Sequence, residues 1–299
     1  MFPPALLPPI HAALEAAGEP LPIRSYEMLK GGYSSHSLKI MARRGVYLLK
    51  WHEQAEPDTY VHEARGLEAL RQAGVVRVPA VLAAARPAGD APGFLLQEWI
   101  PTRKGGWPRQ MNQQLGATIA RLHRAGMIAP GYARVSALDH VGDEAQGWTD
   151  WVTCYREHYL VPSIQRKASQ GLLSTELQHG LARLLDRLDD LLGGVARQPA
   201  LIHGDLWRNN VLCDTKGQPV LIDPHAAYAD REYELMIAEE YGGFGPSFFA
   251  AYEATWPTEP GRAERRALYQ LHSLIQRLGA RYSSTPDQIA AIVQWYVGR

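Results

Sequence analysis

The string HGDLWRNN, from His203 to Asn210, followed by Leu221-Ile222-Asp223-Pro224, constrains this chain more than any other feature. Asp205 and Asn210 stand 5 positions apart on what reads as one loop. Asp223 follows 13 positions later, at the end of the next strand. Between them, NNVLCDTKGQPVLID reads as a hairpin turning at residues 215–217. A loop that runs into a hairpin can gather three such side chains without a helix. Together they supply the parts that phosphoryl transfer needs. One carboxylate orients an attacking hydroxyl and accepts its proton. An amide oxygen and a second carboxylate hold magnesium, a hard ion that prefers oxygen. Taken singly, a loop aspartate, a turn asparagine and a strand-end aspartate each have an ordinary explanation, and only the whole string carries the chemistry.

A second signal is Lys50. Arginine outnumbers lysine here, with six lysines among the 31 basic residues, and Lys50 ends the apolar run VYLLK. An unpaired ammonium buried there would be costly. Glu63 is an available partner: on a helix expected from Asp58 it shares a face with Leu67 and Leu70. Such a pair can hold the ammonium against the α- and β-phosphates of ATP. The residues alone equally allow a strand-edge lysine reaching water and a surface glutamate. Gly31-Gly32-Tyr33-Ser34-Ser35 lies one strand earlier. Its glycines permit a tight turn and close approach to phosphate, with Ser34 and Ser35 as donors, but a plain hairpin turn fits as well. QEWIP would form the hinge, with the Glu98 carbonyl and the Ile100 N–H as main-chain partners of adenine.

The surrounding pattern gives a fold class. A short helix is expected over residues 12–17. Strands are expected over 23–29, 36–42 and 46–51, then a helix from Asp58 to Gly74, then strands over 75–84 and 93–100. Pro79 places the first of these last two at a sheet edge or bend. Beyond Pro101 the chain turns helical, with helices near 147–168 and 174–192 and again from Glu232 to the end. The shift near residue 100 divides the chain into a strand-rich part, 1–100, and a helix-rich part, 101–299.

These motifs, with the IARLHR helix, resemble the aminoglycoside-phosphotransferase/protein-kinase-like superfamily. Within it HGDLWRNNVL, IDPHAAYADRE, GGFGPSFFAAYEATWP and ALYQLHSLIQRLG resemble the fructosamine kinase (ketosamine-3-kinase) family, over nearly the whole chain from Gly31 to Gly279. The resemblance implies an α+β, bilobal, protein-kinase-like fold, with a β-rich N-lobe carrying one helix and a larger helical C-lobe. It implies transfer of the ATP γ-phosphate to a sugar hydroxyl of a ketosamine, such as fructosamine or ribulosamine, free or on protein. Carried over by position, Asp205 is the catalytic base, Asn210 and Asp223 hold Mg2+, Lys50 holds phosphates and Glu63 pairs with it. Four positions depart from the family pattern: Ser35 stands where Asn is common, Arg208-Asn209 where Ser-Gly is usual, and Glu234 where aspartate is usual.

Other residues have two readings each. Trp207 could wall the sugar site or pack in the core. His225, Tyr228 and Trp148 could line the acceptor pocket or serve structure. His203 is expected to shape the loop, and Arg231 and Glu232 to fix it to the helical lobe. Related small-molecule kinases for aminoglycosides or choline remain open, because the segment 148–159 offers both aromatics and carboxylates (Asp150, Glu157). A nucleotide-binding pseudokinase is a third reading, disfavoured by the complete set of Lys50, Asp205, Asn210 and Asp223. The stretch from Asp223 to about Glu232 is too short for a long activation loop.

Composition narrows the partners. With 31 basic and 31 acidic residues the formal charge is zero, so no polybasic nucleic-acid binder is expected. No run of about 18 apolar residues suggests a membrane span, and the proline-broken start makes a poor signal peptide. Two cysteines, Cys154 and Cys213, are too few for a disulfide framework and point to the cytoplasm. The spacing of the histidines favours no zinc site.

Overall fold

Alternation along the strands organises the first third of the chain. The computed structural model describes residues 2–29, 35–128, 131–134, 148–195, 197–279 and 285–298. Strands β1 (Ser25–Met28), β2 (His36–Met41), β3 (Val46–Trp51), β4 (Val81–Ala85) and β5 (Phe94–Glu98) form an antiparallel sheet in the order β1-β2-β3-β5-β4. In the β3–β5 register Leu49 faces Leu96, Lys50 faces Leu95 and Trp51 faces Phe94. Successive side chains point to opposite faces. Leu49, Trp51, Phe94 and Leu96 therefore pack under Ile10 and Leu14 of α1 (Leu7–Ala16). Leu95 packs on the other side, with Leu67 and Leu70 of α2 (Thr59–Gln72). The same alternation sends Lys50 to the α2 side.

The order of elements agrees with the pattern in the sequence, and the boundaries differ for local reasons. Helix α1 begins at Leu7 rather than residue 12, because its prolines sit in the first turn, where a missing N–H costs nothing. Asp58 precedes α2 but makes no capping bond, and its carboxylate pairs with Arg86 instead. The strand expected over 75–84 forms only from Val81, as the edge strand, past Pro79. Arg77, upstream of it, makes an isolated parallel bridge to Val220.

The rest is mostly helical: α3 (Met111–Ala125), α4 (Trp151–Cys154), α5 (Val161–Ser169), α6 (Thr175–Asp186), α7 (Leu188–Leu192), α8 (Arg231–Glu240), α9 (Pro246–Thr255), α10 (Arg262–Arg277) and α11 (Thr285–Val297). A π-helical stretch, Tyr155–Leu160, joins α4 to α5, so the helix expected near 147–168 is continuous from Trp151. The helix expected over 174–192 breaks at Arg187. The hairpin is present as β8 (Val211–Cys213) and β9 (Pro219–Leu221). Beside it lies a three-stranded sheet of β6 (Ala133–Arg134), β10 (Ala227–Ala229) and β7 (Ala200–Ile202), in which β7 falls on the strand-like run ALIHGDL and β6 and β10 were not expected. Strands of two or three residues are too short to show alternation.

Helices α3 and α9 cross closely at Gly116, where an added Cβ would lie 2.0 Å from the Phe248 carbonyl oxygen. Backbone cannot swing aside as a side chain can. Gly116→Ala should cost about 1–3 kcal/mol or more, read as a lower urea midpoint with an unchanged slope. No helix among the described residues is long and apolar enough to cross a membrane.

Candidate active site

Lys50 leaves β3 towards α2 and reaches two carboxylates. Its Nζ lies 2.7 Å from Glu63 Oε1 and 3.0 Å from Asp223 Oδ1. The Lys50 and Glu63 side chains are only 8% and 12% exposed, against 42% for Asp223, so the cluster opens to solvent on the Asp223 side. Burial pulls the Lys50 ammonium down, but Glu63 and Asp223 outweigh it and hold Lys50 protonated, above its usual value. Burial pushes the Glu63 carboxyl up against the attraction of Lys50, and the Asp223 charge adds to that rise. The expected pair thus exists, with Asp223 as a third member that spacing alone did not show.

Asp223 is the only non-glycine residue among those described with a positive φ, 55°. That conformation costs roughly 1–3 kcal/mol and persists only where neighbours over-determine it. Here they do. Ile222 donates its N–H to the Asn210 carbonyl at 3.0 Å, and the Ile222 carbonyl lies 2.9 Å from His203 Nε2. The Asp205 N–H donates to His203 Nδ1 at 3.3 Å. A carbonyl only accepts and an N–H only donates, so the His203 ring gives from Nε2 to Ile222 and takes at Nδ1 from Asp205, bridging the two arms of the loop. Asn210 Nδ2 donates to Asp205 Oδ2 at 2.7 Å and to the Asp205 carbonyl at 2.9 Å. Main-chain bonds through Ile222 therefore join the Asp205–Asn210 pair to the Lys50–Glu63–Asp223 cluster.

Beneath the loop is a buried network that sequence reasoning missed. Glu234 on α8 accepts from the N–H groups of His203 (3.0 Å) and Gly204 (2.6 Å) and lies 2.8 Å from His123 Nε2. His123 on α3 in turn meets the Tyr252 hydroxyl of α9 at 2.8 Å. Gly204 has φ 82°, and a Cβ there would lie 2.0 Å from the His225 carbonyl oxygen, so the loop admits only glycine. The signal for Glu234 was faint: α8 is buried on every face from Arg231 to Ala238, which erases helical periodicity. Burial pushes the Glu234 carboxyl up, but His123 and the His203 N–H hold it below its ordinary 4.5. Its contribution to stability is therefore complete above pH 4.5 and lost as pH falls through the lower folded value. Glu234→Ala strands two loop N–H groups and His123 and should cost about 3–5 kcal/mol. The conservative Glu234→Gln should flatten the acid limb of stability in melts run between neutral and acid pH.

The remaining candidates divide. Gly31, Gly32 and Ser34 lie outside the described residues, and Ser35 forms the bend before β2. Glu98 and Ile100 lie where β5 ends, and the Glu98 side chain is taken by Arg77 at 2.6 Å. Trp207 and Tyr228 are half-buried, Tyr228 in the pairing of β10 with β7 and β6. His225 is exposed, and its N–H donates to the His203 carbonyl at 2.9 Å. Trp148 pairs its backbone with Tyr132, and among the described residues no hydrogen bond, ion pair or ring contact joins it to the catalytic loop. Arg231 donates to the carbonyls of Trp256 and Pro257, and Glu232 pairs with Arg265, so both tie the loop region to the helical lobe as expected.

An antiparallel sheet with a buried Lys–Glu pair, set over a loop and hairpin that present aspartate, asparagine and aspartate, defines an ATP-dependent phosphotransferase of protein-kinase-like fold. Solved structures agree on the fold. A fructosamine-3-kinase candidate from Thermobifida fusca superposes with a TM-score of 0.76 at 23% identity, covering 95% of this chain and 96% of that one. A thermostable mutant of aminoglycoside phosphotransferase APH(4)-Ia gives 0.65 at 16% identity, covering 96% and 98%. The fructosamine kinase family model matches residues 9–294. The "Probable ketoamine kinase" of Lactiplantibacillus plantarum is 32% identical over 89% of this chain and 93% of its own. The chloroplastic "Protein-ribulosamine 3-kinase" of Oryza sativa subsp. indica is 28% identical over 94% and 82%. The chain belongs to the fructosamine kinase family.

Proposed function

We propose that this chain transfers the γ-phosphate of ATP to a sugar hydroxyl of a ketosamine, fructosamine or ribulosamine, free or protein-bound. The observation that carries the reading is the Lys50–Glu63–Asp223 cluster joined through Ile222 to Asp205 and Asn210. Asp205, with one oxygen fixed by Asn210, turns the other to the acceptor hydroxyl, orients it and takes its proton as the new P–O bond forms. Lys50, held charged by two carboxylates, meets the α- and β-phosphates. The Glu98 carbonyl and Ile100 N–H hold adenine, and the 31–35 loop covers the phosphates. The lobes divide near residue 100.

The donor set fits magnesium. Asn210 gives its amide nitrogen to Asp205, which leaves its amide oxygen, and Asp223 gives one oxygen to Lys50, which leaves the second. Two protein oxygens completed by phosphate and water suit an ion that rarely takes an all-protein cage. Held by Asn210 and Asp223, magnesium would supply positive charge against the phosphates of ATP.

The same geometry weighs against the other readings. In the 148–159 segment Trp151, Tyr155 and Tyr159 are spent on the core, at 1%, 0% and 6% exposure, and Asp150 caps α4, which leaves Trp148 as the exposed ring. One exposed ring among the described residues of that segment is not an aromatic box for a choline-like cation. A pseudokinase would not need all four charged or amide groups in working geometry. Two free, buried cysteines suit a cytoplasmic setting. The test is ATP consumption with magnesium across ribulosamine, fructosamine, an aminoglycoside and choline. Turnover of a ketosamine well above the other two is expected. Turnover of none, without a nucleotide-induced thermal shift, would end the reading.

A further inference from the structure

Basic and acidic residues are equal in number, 31 of each, but unevenly placed. The segment joining the sheet to α3 and the tip of the β8–β9 hairpin enclose a groove of about 320 Å³. Arg103, Arg109 and Lys216 line it with Pro108, Gln110 and Gln114, and among the described residues no carboxylate is in its wall. The acid next to it in sequence, Asp214, is buried and already engaged. It accepts from the N–H groups of Lys216 and Gln218 at 2.9 Å each and pairs with Arg77 at 3.3 Å. Helix α3 starts at the groove with no side-chain cap and no acid in its first turn, which leaves the positive end of its dipole uncompensated.

A further cation, from the 203–210 loop, stands beside the groove wall. Trp107, next to Pro108, carries the Arg208 guanidinium on its ring face at 3.4 Å. Arg208 follows Asp205 by three positions and takes the place where the family usually has serine. Burial pushes the Cys213 thiol up, while Arg103 and Arg208 both lie close enough to pull it down. Arg208, stacked on Trp107, thus adds a cation of the 203–210 loop next to the three that line the groove.

We propose that this groove docks an acidic polypeptide segment of the protein that bears the ketosamine, which makes protein-bound adducts with neighbouring Asp and Glu residues the preferred substrate class. The inference rests on the ketosamine kinase reading above. Arginine forks and glutamine amides match carboxylates. The cations are spread over two chain segments rather than converging on one point, which suits an extended chain more than a small anion. A neutral protein with a short basic track is a poor match to a polyphosphate backbone.

The test uses two peptides with one ribulosylated lysine each, flanked by glutamates in one and glutamines in the other. For the wild-type protein at about 50 mM salt, kcat/KM should favour the acidic peptide by about tenfold, and the preference should vanish at about 500 mM salt. The combined variant Arg103→Gln, Arg109→Gln, Lys216→Gln should lose the preference yet turn over ribulosylated N-acetyl-lysine as the wild type does. Fluorescence anisotropy of a labelled, sugar-free acidic peptide reads docking without chemistry. Absence of any ketosamine turnover would then sink the catalytic reading, while the binding data still judge the groove. Equal kcat/KM for the two peptides, a preference that survives in the variant, or tighter displacement of the labelled peptide by a single-stranded oligonucleotide than by acidic peptide would overturn the proposal.

Discussion

Asp205→Asn should lower kcat on the best ketosamine by about 10²–10⁴-fold, the range general base catalysis supplies. An amide keeps the shape and can still accept the hydrogen bond that Asn210 Nδ2 donates at 2.7 Å, so the loop should hold its form. What is lost is the lone pair that takes the hydroxyl proton. Binding of ATP, which this side chain does not hold, should change little, as read by the nucleotide-induced thermal shift. Steady-state kinetics with saturating ATP and varied ketosamine provide the check, and full turnover in the variant would remove Asp205 from the role of base.

The second large effect is expected at Lys50. Lys50→Met fills the same space without the charge. Loss of one preorganised cation from the phosphates should reduce kcat/KM for ATP by about 10²–10³-fold, with the KM for the acceptor nearly unchanged. The variant should also show a stronger pH dependence of stability. Glu63 is buried, and without the ammonium nothing opposes the rise that burial imposes on its carboxyl. A carboxyl whose folded pKa lies above its unfolded value contributes stability at low pH and loses it as pH rises through the folded value. The variant should therefore be destabilised relative to wild type more in alkaline melts than in mildly acid ones. An equal penalty at both ends would show that Glu63 is not left uncompensated.

Much of this arrangement could be read from the chain. The apolar runs VYLLKW and GFLLQEWI marked both strands, and a face shared with Leu67 and Leu70 brought Glu63 to Lys50. The spacing of Asp205, Asn210 and Asp223 identified the loop and hairpin. What stayed hidden has a common cause: it depends on contacts between distant segments with no local pattern. The bond from Lys50 to Asp223 spans most of the chain. Glu234 looked like a minor departure from aspartate, yet it is the acceptor on which the catalytic loop rests, and its helix is too uniformly buried to show a face. The reverse also occurs. The tryptophan and tyrosines of the 151–159 segment looked available for a ligand, but the core consumes them.

Arg77 has a consequence for how the two lobes can move. Its side chain spans Glu98 at 2.6 Å and Asp214 at 3.3 Å, and its carbonyl takes the Leu221 N–H at 3.0 Å. A short distance away Thr102 bridges to Asp214. The sheet is thus fastened to the catalytic hairpin at a seam as well as by the covalent linker, like a door hung on two pins. Swinging should leave that edge almost still and give the greatest travel to the far side, where β1 and β2 lie, so nucleotide would enter and leave by the free edge.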